Sequence, residues 1–302
     1  MLICDTHADT LWNRAWAERP ADIPYDVTKE FLTVHDGVRV QALALFIPPK
    51  GMEQKPSILE LELAAFEQLK QEGWRQITEI SQALPGHANM MLTIEGCEAF
   101  EGDPDNVDRL ADLGARVGAL TWNTPNGLCT PACESDEGGI TPLGWTIVNR
   151  MRARHMAVDV SHMNIAGFYD LLDGTVPPMA SHSCARALCG HSRNLTDDQL
   201  RALFAAGGFV GVNFYNMFLS DDHVADVDRV IDHMAHMCDL GGENHIGFGS
   251  DFDGIEVWPE DCADPSGIQL VIEGLRRRGY SDAAIADIAG RNFLNYYKRL
   301  GW

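Results

Sequence analysis

The strongest constraint on the fold of this chain is a repeated alternation. Eight short, mostly apolar runs are separated by longer amphipathic ones. The runs are LICDTH (2–7), VRVQALALFI (38–47), ANMMLTIEG (88–96), RVGALTWN (116–123), MAVDVSH (156–162), PMASHS (178–183), GFVGVNFY (208–215) and HIGFGSDF (245–252). Near-continuous Val/Ile/Leu/Ala/Gly runs of this length are expected of parallel strands covered on both faces. Helical patterns lie between them at 58–84, 106–115, 141–155, 164–173, 196–208 and 224–242, and two more fill the tail from Pro265 to Leu300. Thr141, Asn164, Thr196 and Ser281 stand where N-caps are expected. Eight strand–helix units in 302 residues predict an α/β fold, a (β/α)8 TIM barrel forming one domain over 1–302. A doubly wound sheet accommodates the same alternation, and the polar residues decide against it.

Those polar residues cluster at strand ends. His7 and Asp9 close the first run, Glu95 the third, His162 the fifth and Asp251 the eighth, while His182 sits in the sixth. In a barrel these ends converge on one mouth, where active sites form. Any one of them alone reads as an ordinary cap, turn or satisfied polar residue. Three imidazoles and three carboxylates at five strand ends do not. Imidazole and carboxylate donors suit Zn²⁺ and, less selectively, Mn²⁺ or Co²⁺. Residues i and i+2 of a strand share a face, so His7 and Asp9 enter one cavity. Five ligands exceed one open tetrahedral site and fit two metals ~3.5–4 Å apart. Glu95 is the natural bridge, having two oxygens, and Asp251 is left as general acid/base. His233 and His236 share a helix face but lie on the outer helix at 224–242, and are expected to be solvated or packed; the other histidines, His35 among them, also stay outside the set.

The formal net charge of -21 argues against nucleic acid and anionic membrane surfaces as partners. No apolar stretch reaches the ~18 residues of a spanning helix, and the N-terminal run breaks at Asp5 without a preceding basic residue. The eight cysteines form no CxxC and no dense framework. They read as reduced, mostly buried thiols, and the location expected from these features is cytoplasmic.

Taken together, DTHADTLW, TIEG, VDVSH, ASHS followed by HSRNL, VNFYN and GFGSDFDG resemble the renal (membrane) dipeptidase family of zinc peptidases, a branch of the amidohydrolase superfamily. The resemblance runs over essentially the whole chain. It implies two Zn²⁺ per chain, one held by His7, Asp9 and Glu95 and the other by Glu95, His162 and His182. It further implies hydrolysis of dipeptides, L,D-dipeptides among them, by a hydroxide between the two ions, with Asp251 moving the proton to the leaving amine. Arg193 matches the family's arginine for the substrate carboxylate, and Trp12 and Tyr215 match aromatic positions near the pocket. A homodimer is a further expectation. One departure stands out: animal members carry a His after the LT of the fourth strand, where this chain has Trp122 followed by Asn123. Asn123 is the remaining candidate donor to the scissile carbonyl. The departure also supports an alternative substrate class, another amide such as an N-acyl amino acid.

Overall fold

The computed structural model describes residues 1–15, 37–48 and 55–301; His35 lies outside them. Its strands are β1 (Leu2–Asp5), β2 (Val38–Phe46), β3 (Arg75–Gln76), β4 (Ala88–Glu95), β5 (Ala115–Ala119), β6 (Ala157–Asp159), β7 (Met179–Ser183), β8 (Phe209–Val212) and β9 (Ile246–Phe248). All pair in parallel, in the order β2-β1-β9-β8-β7-β6-β5-β4, and β2 pairs with β4 to close the ring. The result is an eight-stranded (β/α)8 barrel. The two-residue β3 is an addition: it pairs with Asn89 and Met90 on the edge of β4 whose later half pairs with β5.

Alternation along the strands divides the core. Ile3 packs in the cluster between barrel and helices, while Cys4 joins Val40, Met91, Val117, Ala157, Met179 and Phe209 in a second cluster. That second cluster includes Phe293, Tyr296 and Tyr297 of the helix Asn292–Leu300. The terminal helix therefore plugs the end where the strands begin, leaving the opposite end for a site.

The helix predicted over 58–84 is shorter, running Lys55–Gln71. Gly73 stops it at φ 98°, with Gly73 N donating to Lys70 O and Trp74 N to Leu69 O, a Schellman arrangement. The expected caps form: Thr141, Asn164, Thr196 and Ser281 each accept a backbone N–H of the first turn. Thr196 also completes a capping box with Gln199. All eight cysteines are free, and Cys133 is exposed. Among the described residues, no helix is long and apolar enough to cross a membrane.

Candidate metal centre

Most strands stop short of the predicted runs, and two buried carboxylates explain where. Asp5 ends β1 and accepts Ser250 N at 2.9 Å and His7 N at 3.4 Å. Asp159 ends β6 and accepts Ser161 N and Ser181 N, both at 2.9 Å. Side-chain oxygens thus take backbone donors that a ladder would otherwise use. The segments beyond are freed to turn inward, and they carry His7, Asp9, His162 and Asp251. His162 and Asp251 sit at φ 67°, a left-handed conformation uncommon for such residues and typical of functional turns.

The loops after β1 and β9 are laced together. Asp9 N donates to Phe252 O at 2.9 Å, Asp251 N to His7 O at 3.2 Å and Asn13 Nδ2 to Asp253 O at 2.8 Å. Gly254 permits this approach: a Cβ there would lie 2.0 Å from Asp9 Oδ2. The first and last strand ends therefore present His7, Asp9 and Asp251 side by side.

Glu95 lies between two donor sets. Its Oε1 is 2.8 Å from His162 Nε2 and 3.4 Å from His182 Nε2. Its Oε2 is 3.7 Å from His7 Nε2, which is 3.6 Å from Asp9 Oδ2 and 3.7 Å from Asp251 Oδ1. All six residues are buried. Burial alone would raise the pKa of Glu95, but the three imidazoles outweigh it and hold this carboxyl well below its usual range. Burial opposes charge on His7 too, yet the carboxylates of Glu95 and Asp9 hold its pKa well above the ordinary value. Burial drives His162 down to about 3, aided by Arg193, and drives His182 well down, aided by His7. Asp9 and Asp251 are raised, chiefly by burial and in part by the charge of Glu95.

Several donor atoms here lack partners. His7 Nε2 and Asp9 Oδ1 are buried without a hydrogen bond, and the Nε2 atoms of His162 and His182 converge to 2.9 Å. Buried polar atoms rarely go unsatisfied. Orphaned imidazole and carboxylate atoms facing the same space are what bound divalent cations would satisfy. The chemistry of the donor set fits Zn²⁺ or a similar ion.

A cavity of about 310 Å³ opens above the cluster, lined in part by Asp9, Glu95, His162 and Asp251. Trp12, Phe46 and Trp122 form one wall, with Phe46 5.7 Å from the Trp12 ring and 5.1 Å from the Trp122 ring. Tyr215 and Phe218 line it too, and Tyr215 Oη donates to Glu256 Oε2 at 3.0 Å. Arg193 is buried, with Nη2 2.9 Å from His182 Nε2 and its guanidinium over Phe218. Asn123 lines the cavity, but its Oδ1 engages His162 Nδ1 at 2.8 Å. That contact directs Nε2 of His162 toward Glu95.

Sequence reasoning missed the residues behind the cluster: Asp5, Asp159, Ser161, Ser181, Ser250 and Asn213. Asn213 Nδ2 donates to Asp251 Oδ2 at 2.9 Å. Their one signal was a polar residue inside an otherwise apolar run, as in VDVSH and VNFY. His233 is packed as expected, accepting Ala185 N at 3.1 Å, with its Nε2 2.9 Å from Leu219 O; His236 pairs with Asp197 at 2.8 Å.

Comparison with known proteins agrees with this architecture. Over 222 residues, 70% of the chain, it is 36% identical to an uncharacterised protein from the pqqA 5' region of Klebsiella pneumoniae, covering 82% of that protein. It is 36% identical over 220 residues to an uncharacterised dipeptidase of Schizosaccharomyces pombe and 34% over 215 residues to dipeptidase aclJ of Aspergillus oryzae. These matches take in 71% and 70% of the chain but span only 54% and 51% of those two relatives. Among solved structures, a Rhodobacter sphaeroides metallopeptidase liganded with a phosphinate mimic of L-Ala-D-Ala shares the fold at TM-score 0.85 and 24% identity, covering 100% of this chain and 99% of that one. A probable dipeptidase of Pseudomonas aeruginosa, PvdM, does so at TM-score 0.83 and 18% identity, covering 99% and 95%. The model of the membrane dipeptidase family matches residues 1–300, and on that match the chain belongs to this family, peptidase family M19.

Proposed function

We propose that this chain is a metal-dependent dipeptidase that uses two zinc ions. The observation that carries this reading is Glu95, whose Oε1 faces His162 and His182 while its Oε2 faces His7. His7, Asp9 and Glu95 would hold one ion and Glu95, His162 and His182 the other, with Glu95 common to both. When bound, such a pair supplies a nucleophile from water at neutral pH and polarises the scissile carbonyl.

The rest is done by the chain's own side chains. Arg193 receives the substrate's C-terminal carboxylate, a role suited to its planar fork of donors. Asp251 takes the proton of the attacking water and delivers it to the leaving amine nitrogen. Asn213 keeps one oxygen of Asp251 occupied at 2.9 Å, so that the other faces the reacting centre. The aromatic wall of Trp12, Phe46 and Trp122 excludes bulk water and limits the substrate to a small molecule. A D-residue at the C-terminal position is acceptable in this reading, in keeping with the L-Ala-D-Ala mimic held by the Rhodobacter enzyme.

The test is a panel of L,L- and L,D-dipeptides with the zinc-loaded protein, reading free amino acid release. Hydrolysis of panel members is expected, with KM for dipeptide rising at least tenfold in Arg193→Ala. No release from any dipeptide would refute the substrate class. Cleavage of N-acyl amino acids alone, with KM unchanged in Arg193→Ala, would favour an amidohydrolase of that type.

A further inference from the structure

In β7 an inward bulge gathers an unusual set of contacts on one hydroxyl. Ala180 pairs with Val210 of β8 and Ser183 with Val212, so Ser181 and His182 together oppose Gly211 alone. A bulge of this kind re-aims side chains, and here two consecutive residues face the barrel interior instead of alternating. Space for it comes from two glycines: a Cβ on Gly211 or Gly249 would lie 2.2 or 1.9 Å from the Ser181 carbonyl oxygen. Thr6 Oγ1 is hydrogen-bonded to that same carbonyl at 2.6 Å.

The Ser181 hydroxyl lies 2.7 Å from His182 Nδ1 and 3.4 Å from His7 Nδ1, and it donates to Asp159 Oδ2. A hydroxyl has one proton and two lone pairs. Asp159 is an acceptor already fixed by the N–H groups of Ser161 and Ser181, so the hydroxyl proton goes to it. Only lone pairs then remain for the imidazoles. Both rings must therefore carry a proton on Nδ1, which leaves Nε2 as the nitrogen each turns toward Glu95. Their close approach, with centroids 3.8 Å apart and planes tilted by 33°, lets one oxygen serve both. His162 has its own partner in Asn123.

We propose that Ser181, backed by Asp159, is a single positioning group shared by the two metal subsites, fixing the tautomer of His7 in one and of His182 in the other. The inference rests on the two-metal reading above. Partners that orient metal-binding histidines are typically worth 10–100-fold in metal affinity.

The test is a zinc titration of the metal-free full chain against a chromophoric chelator. The wild type is expected to take up two equivalents, and Ser181→Ala to weaken both binding constants 10–100-fold. Ser183→Ala removes a neighbouring buried hydroxyl that has no partner and is expected to change neither constant. Two equivalents in the wild type with both constants unchanged in Ser181→Ala, or with only one weakened, would overturn the sharing. Uptake of a single equivalent by the wild type would overturn the two-metal reading and this inference with it. A second readout needs no variant: imidazole ¹H–¹⁵N spectra of the zinc-loaded wild type should show both His7 and His182 protonated at Nδ1. Loss of that proton from either ring would contradict the proposal.

Discussion

At the scale of single residues, the six strand-end groups were legible because their side chains must share one mouth once the barrel closes. Their supports were not. Asn123 uses its Oδ1 on His162 Nδ1, a supporting contact that no sequence spacing reveals. Asn213 shows only as a polar residue inside an apolar run until the fold brings it to Asp251 across 38 positions of sequence. Asp251 is the residue whose loss separates chemistry from binding most cleanly. It reaches the cluster at 3.7 Å from His7, but the two proposed subsites are complete without it. Asp251→Asn keeps the shape and the contact to Asn213 while removing the base. General acid–base groups contribute typically 10²–10⁴-fold. Steady-state kinetics of the variant should show kcat reduced by about that factor with two metal equivalents retained; an unchanged kcat would remove Asp251 from the reaction.

At the scale of elements, strand identity and order followed from apolar runs and caps, whereas strand ends did not. Asp5 and Asp159 end their strands by capturing backbone N–H groups, an effect invisible to periodicity because an Asp in a run looks like any polar interruption. The helix expected over 58–84 ends early for a similar reason: QEGW hides a Schellman stop at Gly73 inside a continuous amphipathic pattern. The outer helix Val227–Met237 also reaches the site's support through His233, which holds the start of the segment after β7 by accepting Ala185 N. Burial lowers the pKa of His233 to about 4. The unfolded chain binds a proton near the ordinary value of ~6.5, which the folded chain refuses until about 4, so this group lowers stability as pH falls through that window. The full loss is about 3 kcal/mol. Urea unfolding of the metal-free protein between pH 7 and 4.5 should show a smaller acid-induced loss in His233→Asn than in the wild type. Equal losses would mean that His233 titrates normally in the folded state.

At the scale of the whole molecule, closure of the ring by β2 and β4 is the central structural fact, because it sets the end of β4, with Glu95, into one mouth with the ends of β1 and β9, where His7 and Asp251 lie 3.7 Å apart. A chain with net charge -21 that also buries Asp9, Glu95 and Asp251 together concentrates negative charge where cations would offset it. Ions that bind the folded chain and not the unfolded one stabilise it, by about 4 kcal/mol per site at a thousandfold excess over Kd. Chelation should therefore lower Tm by on the order of 10 °C in thermal scans, reversibly on adding zinc; an unchanged Tm would speak against any tightly held ion. The most direct measurement is anomalous scattering at the zinc edge from crystals of the zinc-loaded protein. Two peaks are predicted, one on each side of the Glu95 carboxylate, the first among His7, Asp9 and Oε2 and the second among His162, His182 and Oε1. A single peak, or peaks away from Glu95, would contradict the account.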